Sequence, residues 1–140
     1  MIVGGDVGGT KTLLGIFEPA ADRPRVVATH NYRNSEFGSF REILDEFRRA
    51  VGASVSVETA VVGVAGPVVG NAASLTNISW DITATGIGAG LGATRVEVLN
   101  DLEALANAVR EAGRAERVSD PVPAGTGRRG HLRVLRSPES

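Results

Sequence analysis

Between Ile2 and Phe17 two apolar runs are parted by a gap of a few residues, with Gly8-Gly9 at its centre. Ile2, Val3 and Val7 precede the glycines, and Leu13, Leu14, Ile16 and Phe17 follow them. Runs this short and this rich in branched residues read as strands, and so brief a connection makes a tight turn. The chain therefore begins as two strands around a Gly-rich turn. Everything after it has to cover that pair.

Arg25 to Tyr32, with Val26, Val27 and Tyr32, reads as a third strand. Ser39 to Val51 reads as a helix, because Phe40, Ile43, Leu44, Phe47 and Val51 fall on one face at three- and four-residue steps. Ser39 and Glu42 have capping-box spacing, so each can satisfy an orphan amide at the helix start. Thr59 to Val64 is a short apolar strand broken by Gly66-Pro67, and Val68 to Leu75 has room for a hairpin. Asp81 to Gly92 reads two ways. Gly86, Gly88, Gly90 and Gly92 alternate there, and each interior glycine costs a helix about 1 kcal/mol. Arg95 to Leu99 is a strand by alternation. Leu102, Leu105, Ala106, Val109 and Ala112 predict a second helix, with Gly113 as its stop. Strands interleaved with helices predict a mixed α/β layer.

At 140 residues and 14.5 kDa the chain is the size of one domain. Hydrophobic residues make up 42% and charged residues 22%, which argues against global disorder. With no cysteine, a disulfide framework and thiolate zinc sites are excluded. No apolar run is long enough for a membrane span, and Met1 leads at once into the Gly-rich segment without a signal-peptide pattern, so a cytoplasmic location is expected. Charge is unevenly spread. Residues 1–113 hold nine basic and thirteen acidic side chains, whereas 114–140 hold six arginines, three acids and three of the six prolines. A mildly acidic body does not predict a nucleic-acid partner. The composition break predicts a folded unit over 1–113 and an irregular tail over 114–140.

Three places can carry chemistry. Gly5-Asp6-Val7-Gly8-Gly9-Thr10 joins two strands, and glycines there allow positive φ and close backbone approach. Successive amides in such a turn can hold phosphate oxygens, Thr10 adds a hydroxyl donor, and Asp6 can hold Mg²⁺. An ordinary hairpin turn is the simpler alternative. The segment matches neither GxxxxGK[ST] nor GxGxxG. Asn100-Asp101 lies where a strand gives way to a helix, which suits a ligand site at a strand's end or a plain helix cap. Asp101 is placed to act as a general base on a hydroxyl. Thr76-Asn77-Ile78-Ser79-Trp80 is a polar loop, in which Asn77 offers a donor and an acceptor to a sugar hydroxyl. Trp80 is expected to pack rather than to bind. His30 and His131 are isolated from acids, so a histidine metal site is not expected.

Taken together, these segments resemble the bacterial glucokinase family, part of the wider group of sugar kinases, actin and heat-shock ATPases. The matching blocks are Gly5 to Thr10, Gly63-Val64-Ala65-Gly66-Pro67-Val68 with Gly70-Asn71, Thr76 to Trp80, and Leu99-Asn100-Asp101-Leu102-Glu103-Ala104. Their order and spacing fit over about Ile2 to Gly113. Lys11-Thr12 is also similar to related sugar kinases. The resemblance implies a mixed-sheet N-terminal lobe of the actin-like, ribonuclease H-like fold. It implies transfer of the ATP γ-phosphate to the 6-hydroxyl of glucose or a related hexose, a step of glycolysis. It places Gly5, Asp6, Val7, Gly8, Gly9 and Thr10 at the ATP phosphates, with Asp6 near Mg²⁺. It gives Asn77, Asn100 and Asp101 to the sugar, with Asp101 as proton acceptor, and has Gly66 and Pro67 shape the sugar side of the cleft.

The departures from the family carry equal weight. Members are more than twice this length, and their second lobe supplies a Gly-Thr-Gly turn, a Glu-x-Gly-His sugar-binding stretch and the adenine pocket. Gly125-Thr126-Gly127 resembles that second turn, but Arg128-Arg129 follow it, and Gly130-His131 lacks the glutamate. The expectation is a truncated lobe with a foreign or frame-shifted tail and little turnover by itself. The missing lobe leaves a face open to self-association or to a separate chain. A non-catalytic sugar or nucleotide sensor, or a decayed fragment, is the alternative.

Overall fold

A computed structural model describes residues 1–75, 80–100 and 102–119. The opening hairpin is β1 (Ile2–Val7) and β2 (Lys11–Glu18), followed by β3 (Arg25–Arg33) and a single 3₁₀ turn at Asn34–Glu36. Helix α1 (Phe40–Val51) leads to β4 (Thr59–Val64), then to three short strands, β5 (Val68–Val69), β6 (Ala72–Ser74) and β7 (Asp81–Thr83). Helix α2 (Ala84–Leu91), strand β8 (Arg95–Leu99) and helix α3 (Leu102–Ser119) complete the described chain. The main sheet runs β3-β2-β1-β4-β8, and β5-β6-β7 form a small second sheet. The β1–β2 and β2–β3 pairs are antiparallel; β1–β4 and β4–β8 are parallel. This is the α/β layer that the alternating pattern predicts, with the mixed sheet that the family resemblance implies.

Each part of the sheet follows from its sequence. All six residues of β4 are buried, as a continuous apolar strand with neighbours on both sides and helices on both faces should be. Helix α1 buries Phe40, Ile43, Leu44, Phe47 and Val51, and Ser39 Oγ accepts from the Glu42 amide at 3.3 Å. Glu42 Oε1 reaches one residue further back than a capping box requires and accepts from Gly38 N at 2.9 Å. Trp80 is buried, with its ring centroid 6.3 Å from that of Phe40, so it packs as expected.

Asp81 to Gly92 resolves into β7 and α2, and its glycines have separate jobs. Gly86 N donates to Thr83 Oγ1 at the helix cap. A Cβ on Gly90 would lie 3.0 Å from Leu44 Cδ1, so that glycine lets α2 approach α1 closely. Gly92 closes the helix with φ +75°, a left-handed cap. Close packing and capping offset the propensity cost.

Gly113 does not stop the last helix. Helix α3 continues through it to Ser119. A Cβ at Gly113 would lie 2.6 Å from Pro24 Cγ, so the glycine serves a close approach in mid-helix. The segments with Gly125 to Gly127 and His131 lie outside the described residues.

Helices α1 and α2 cover one face of the sheet and α3 the other. On the α3 side Leu105 lies over Gly63 and Val109 over Gly4. The same face of β2 and β3 lies beyond α3 and is partly open, with Leu13 40% and Val26 53% exposed. A cavity of about 330 Å³ separates α3 from this surface, between Phe17, Gly15, Leu105 and Val109, with Asp6 on its wall.

Candidate functional site

The three parallel strands β1, β4 and β8 end together. Val7 pairs with Val64, and Gly63 with Leu99, so the segments after them emerge along one margin of the sheet. These are the Gly8–Thr10 turn, the Ala65–Pro67 turn and Asn100. Ala65 N donates to Val7 O at 3.0 Å, which ties the first two together. Open α/β sheets place ligands beyond the carboxyl ends of their strands. The topology therefore gathers three of the sequence-derived segments where such a site belongs.

The first turn is tight. Gly8 N donates to Lys11 O at 2.8 Å and closes it over Gly9 and Thr10. Positive φ is not the reason for its glycines: the described left-handed residues are Gly52, Gly70, Asn71 and Gly92. Gly8 and Gly9 are half-buried and Thr10 is exposed. Gly5 and Val7 lie within β1, paired with Leu14 and Thr12, and both are buried. A Cβ at Gly5 would meet Leu14 Cδ2 at 2.8 Å, so core packing accounts for that glycine. Asp6 is half-buried on the opposite face, in register with Leu13 and Gly63, and lines the cavity under α3.

Below the turn lies a residue that nothing in the sequence marks. Asn34 is 2% exposed. Its Nδ2 donates to Gly8 O at 2.9 Å, and its Oδ1 accepts from Thr12 Oγ1 at 2.8 Å. Its backbone N donates to Thr10 O at 2.9 Å. One buried side chain and its own amide thus hold both flanks of the turn. The only available hint is a turn-forming Asn-Ser after a strand; its partners are set by the β2–β3 register.

Gly66 is half-buried, with room for a Cβ only 3.3 Å from Ser74 O, and Pro67 is exposed. Asn71, at φ +64°, ties the β5–β6 hairpin to the free edge of β8. Its Oδ1 accepts from Val98 N at 2.8 Å and its Nδ2 donates to Val96 O at 3.3 Å. Asn71 therefore supports the strand that leads to Asn100, which is exposed at the end of β8. Asn77, with the rest of Thr76 to Ser79, and Asp101 lie outside the described residues.

Among the described residues no three His, Cys, Asp or Glu side chains group as a metal site. Mg²⁺ does not require one, since it commonly takes one or two carboxylates with waters and substrate phosphates. Asp6, half-buried on the wall of the cavity under α3, is a single carboxylate of the kind such an ion takes. No described helix is long and apolar enough to cross a membrane.

The Glucokinase family model matches residues 3–133. The chain is 31% identical over 109 residues to a glucokinase of Caulobacter vibrioides, covering 78% of this chain and 33% of the relative. It is 34% identical over 139 residues to a glucokinase of Rhizobium meliloti, covering 96% of this chain and 38% of the relative. The chain thus spans about a third of the length of the curated relatives it matches. The crystal structure of a glucokinase from an Antarctic psychrotroph superimposes with TM-score 0.64 at 24% identity, covering 74% of this chain and 33% of that one. That likeness speaks for the fold. The family model spans most of the chain and the relatives agree with it, so this chain belongs to the glucokinase family.

Proposed function

We propose that this chain forms the N-terminal lobe of a glucokinase-type enzyme that transfers the ATP γ-phosphate to the 6-hydroxyl of glucose or a related hexose. The observation that carries this reading is the shared margin of β1, β4 and β8, on which the phosphate-type turn and the sugar-side segments emerge together. A glucokinase of Balamuthia mandrillaris, described in complex with glucose, shares the fold at TM-score 0.53 and supports a hexose as substrate.

In this reading the Gly9 and Thr10 amides and the Thr10 hydroxyl hold phosphate oxygens, in a turn closed by Gly8 N and pre-set by Asn34. Asp6 would hold Mg²⁺, which would supply charge neutralisation on those oxygens. Asn77 and Asn100 orient the sugar, and Gly66-Pro67 shape its side of the cleft. Asp101 accepts the 6-hydroxyl proton as that oxygen bonds to the γ-phosphorus; the bond to the β-phosphate bridge breaks and ADP leaves. Positioning and electrostatics supply most of the acceleration in such transfers.

Closure between two lobes excludes water and aligns the reactants. The chain has a third of its relatives' length, so we expect ligand binding with little turnover. We assign residues 1–113 to the lobe, with α3 carrying its last turns on to Ser119, and the residues that follow to a tail of different composition. The test is a coupled glucose-6-phosphate assay on purified chain, alongside titration with glucose and MgATP. Binding of both at background turnover agrees with the proposal. Robust turnover abolished by Asp101→Ala would refute the need for a second lobe. Failure to bind either ligand would favour a decayed fragment.

A further inference from the structure

Strand β8 closes one end of the main sheet, so its outer side offers backbone groups to no neighbouring strand. One side chain takes two of them. Asn71 Oδ1 accepts from Val98 N at 2.8 Å, and Asn71 Nδ2 donates to Val96 O at 3.3 Å. A carboxamide, with one acceptor and one donor in use, thus stands in for the peptide group of a further strand. Its own backbone holds it there. Gly70 and Asn71, at φ +58° and +64°, form the two-residue turn between β5 and β6, a turn that needs positive φ at both positions. The Asn71 carbonyl accepts from Ala84 N at 3.1 Å, at the first residue of α2. One residue therefore joins three segments: the hairpin that starts directly after Gly66-Pro67, the strand that runs into Asn100, and the entry to α2.

We propose that Asn71 is a positioning residue for the hexose. It makes the Gly66-Pro67 side of the cleft and Asn100 one rigid wall, so that both meet the same sugar ring, and it acts through them without touching the sugar. The proposal rests on the sugar reading of those two segments and deepens it by naming what fixes their spacing. The phosphate-type turn has a separate support in Asn34, so sugar affinity and nucleotide affinity should part when Asn71 is changed. Two substitutions that tolerate its backbone divide its roles. Asn71→Gly keeps the positive φ and loses both side-chain bonds. Asn71→Asp keeps the acceptor for Val98 N and sets its second carboxylate oxygen against the Val96 carbonyl.

The test uses the full chain, with glucose and MgATP titrated separately by calorimetry and amide exchange followed by NMR. Gly92→Ala is the stability control, because Gly92 caps α2 at φ +75° and an alanine there strains the fold away from Asn71. Asn71→Gly should weaken glucose about tenfold and leave MgATP unchanged, with faster exchange at Val98. Asn71→Asp should recover part of the glucose affinity and slow that exchange again. Gly92→Ala should lower the melting temperature and leave both affinities alone. Equal losses of glucose and MgATP in Asn71→Gly would overturn the proposal, as would a glucose loss that Gly92→Ala reproduces at the same fall in melting temperature. Unchanged glucose affinity in Asn71→Gly would overturn it too, and the sugar reading would stand. If the parent chain binds no glucose, the sugar reading itself fails and the assignment falls with it.

Discussion

Asn34 joins three parts of the chain through one buried side chain: the Gly8 carbonyl, the Thr12 hydroxyl and, through its own amide, the Thr10 carbonyl. Removing the carboxamide leaves the buried Thr12 hydroxyl and the Gly8 carbonyl without these partners. Unsatisfied buried polar groups cost about 1–3 kcal/mol each in such cases. Asn34→Ala should therefore lower stability by about 2 kcal/mol in chemical denaturation and speed amide exchange at Gly9 and Thr10. Thr12→Ser keeps the hydroxyl and should preserve turn order, whereas Thr12→Val should not. The glycines of the turn were legible in the sequence because they are adjacent to one another. Asn34 was not, because its bond to Thr12 spans 22 positions.

At the scale of elements, Gly113 separates two physical accounts of α3. On helix propensity alone, Gly113→Ala in a helix interior would stabilise by about 1 kcal/mol. The structure sets a Cβ there 2.6 Å from Pro24 Cγ, and both the helix backbone and the proline ring are stiff. Overpacking of that kind typically costs about 1–3 kcal/mol. The net expectation is a lower melting temperature for Gly113→Ala, restored in part by Pro24→Ala in the same chain. A rise in the single variant would refute the close approach. Helix α1 was legible because its apolar spacing and Ser39 cap lie within one short window. Helix α2 was not, since its glycines are offset by contacts with Leu44 on another helix and by a cap from Thr83.

For the whole molecule, Tyr32 reports on global stability. It is the chain's only tyrosine and packs from β3 against His30 of the same strand and Phe37 beyond the 3₁₀ turn. Burial, with the Glu46 carboxylate adding to it, pushes its phenol from 10.0 up to about 12. The folded value is the higher one, so the stabilisation is fully present below about pH 10 and is lost as pH rises toward about 12. Ultraviolet titration should show one phenolate transition near pH 12 for native chain and near pH 10 for denatured chain. A native transition near 10 would contradict the packing. The opening hairpin, the third strand, α1, the mixed α/β class and the family resemblance could be read from the residues alone, because turn chemistry and apolar periodicity act over a few neighbouring residues. The rest came from packing. It brought the ends of β1, β4 and β8 to one margin, put Asn34 beneath the turn, tied Asn71 to the edge of β8, and turned Gly113 from a stop into a contact. Each of these depends on strand register and helix approach, which are set by contacts between residues far apart in the chain.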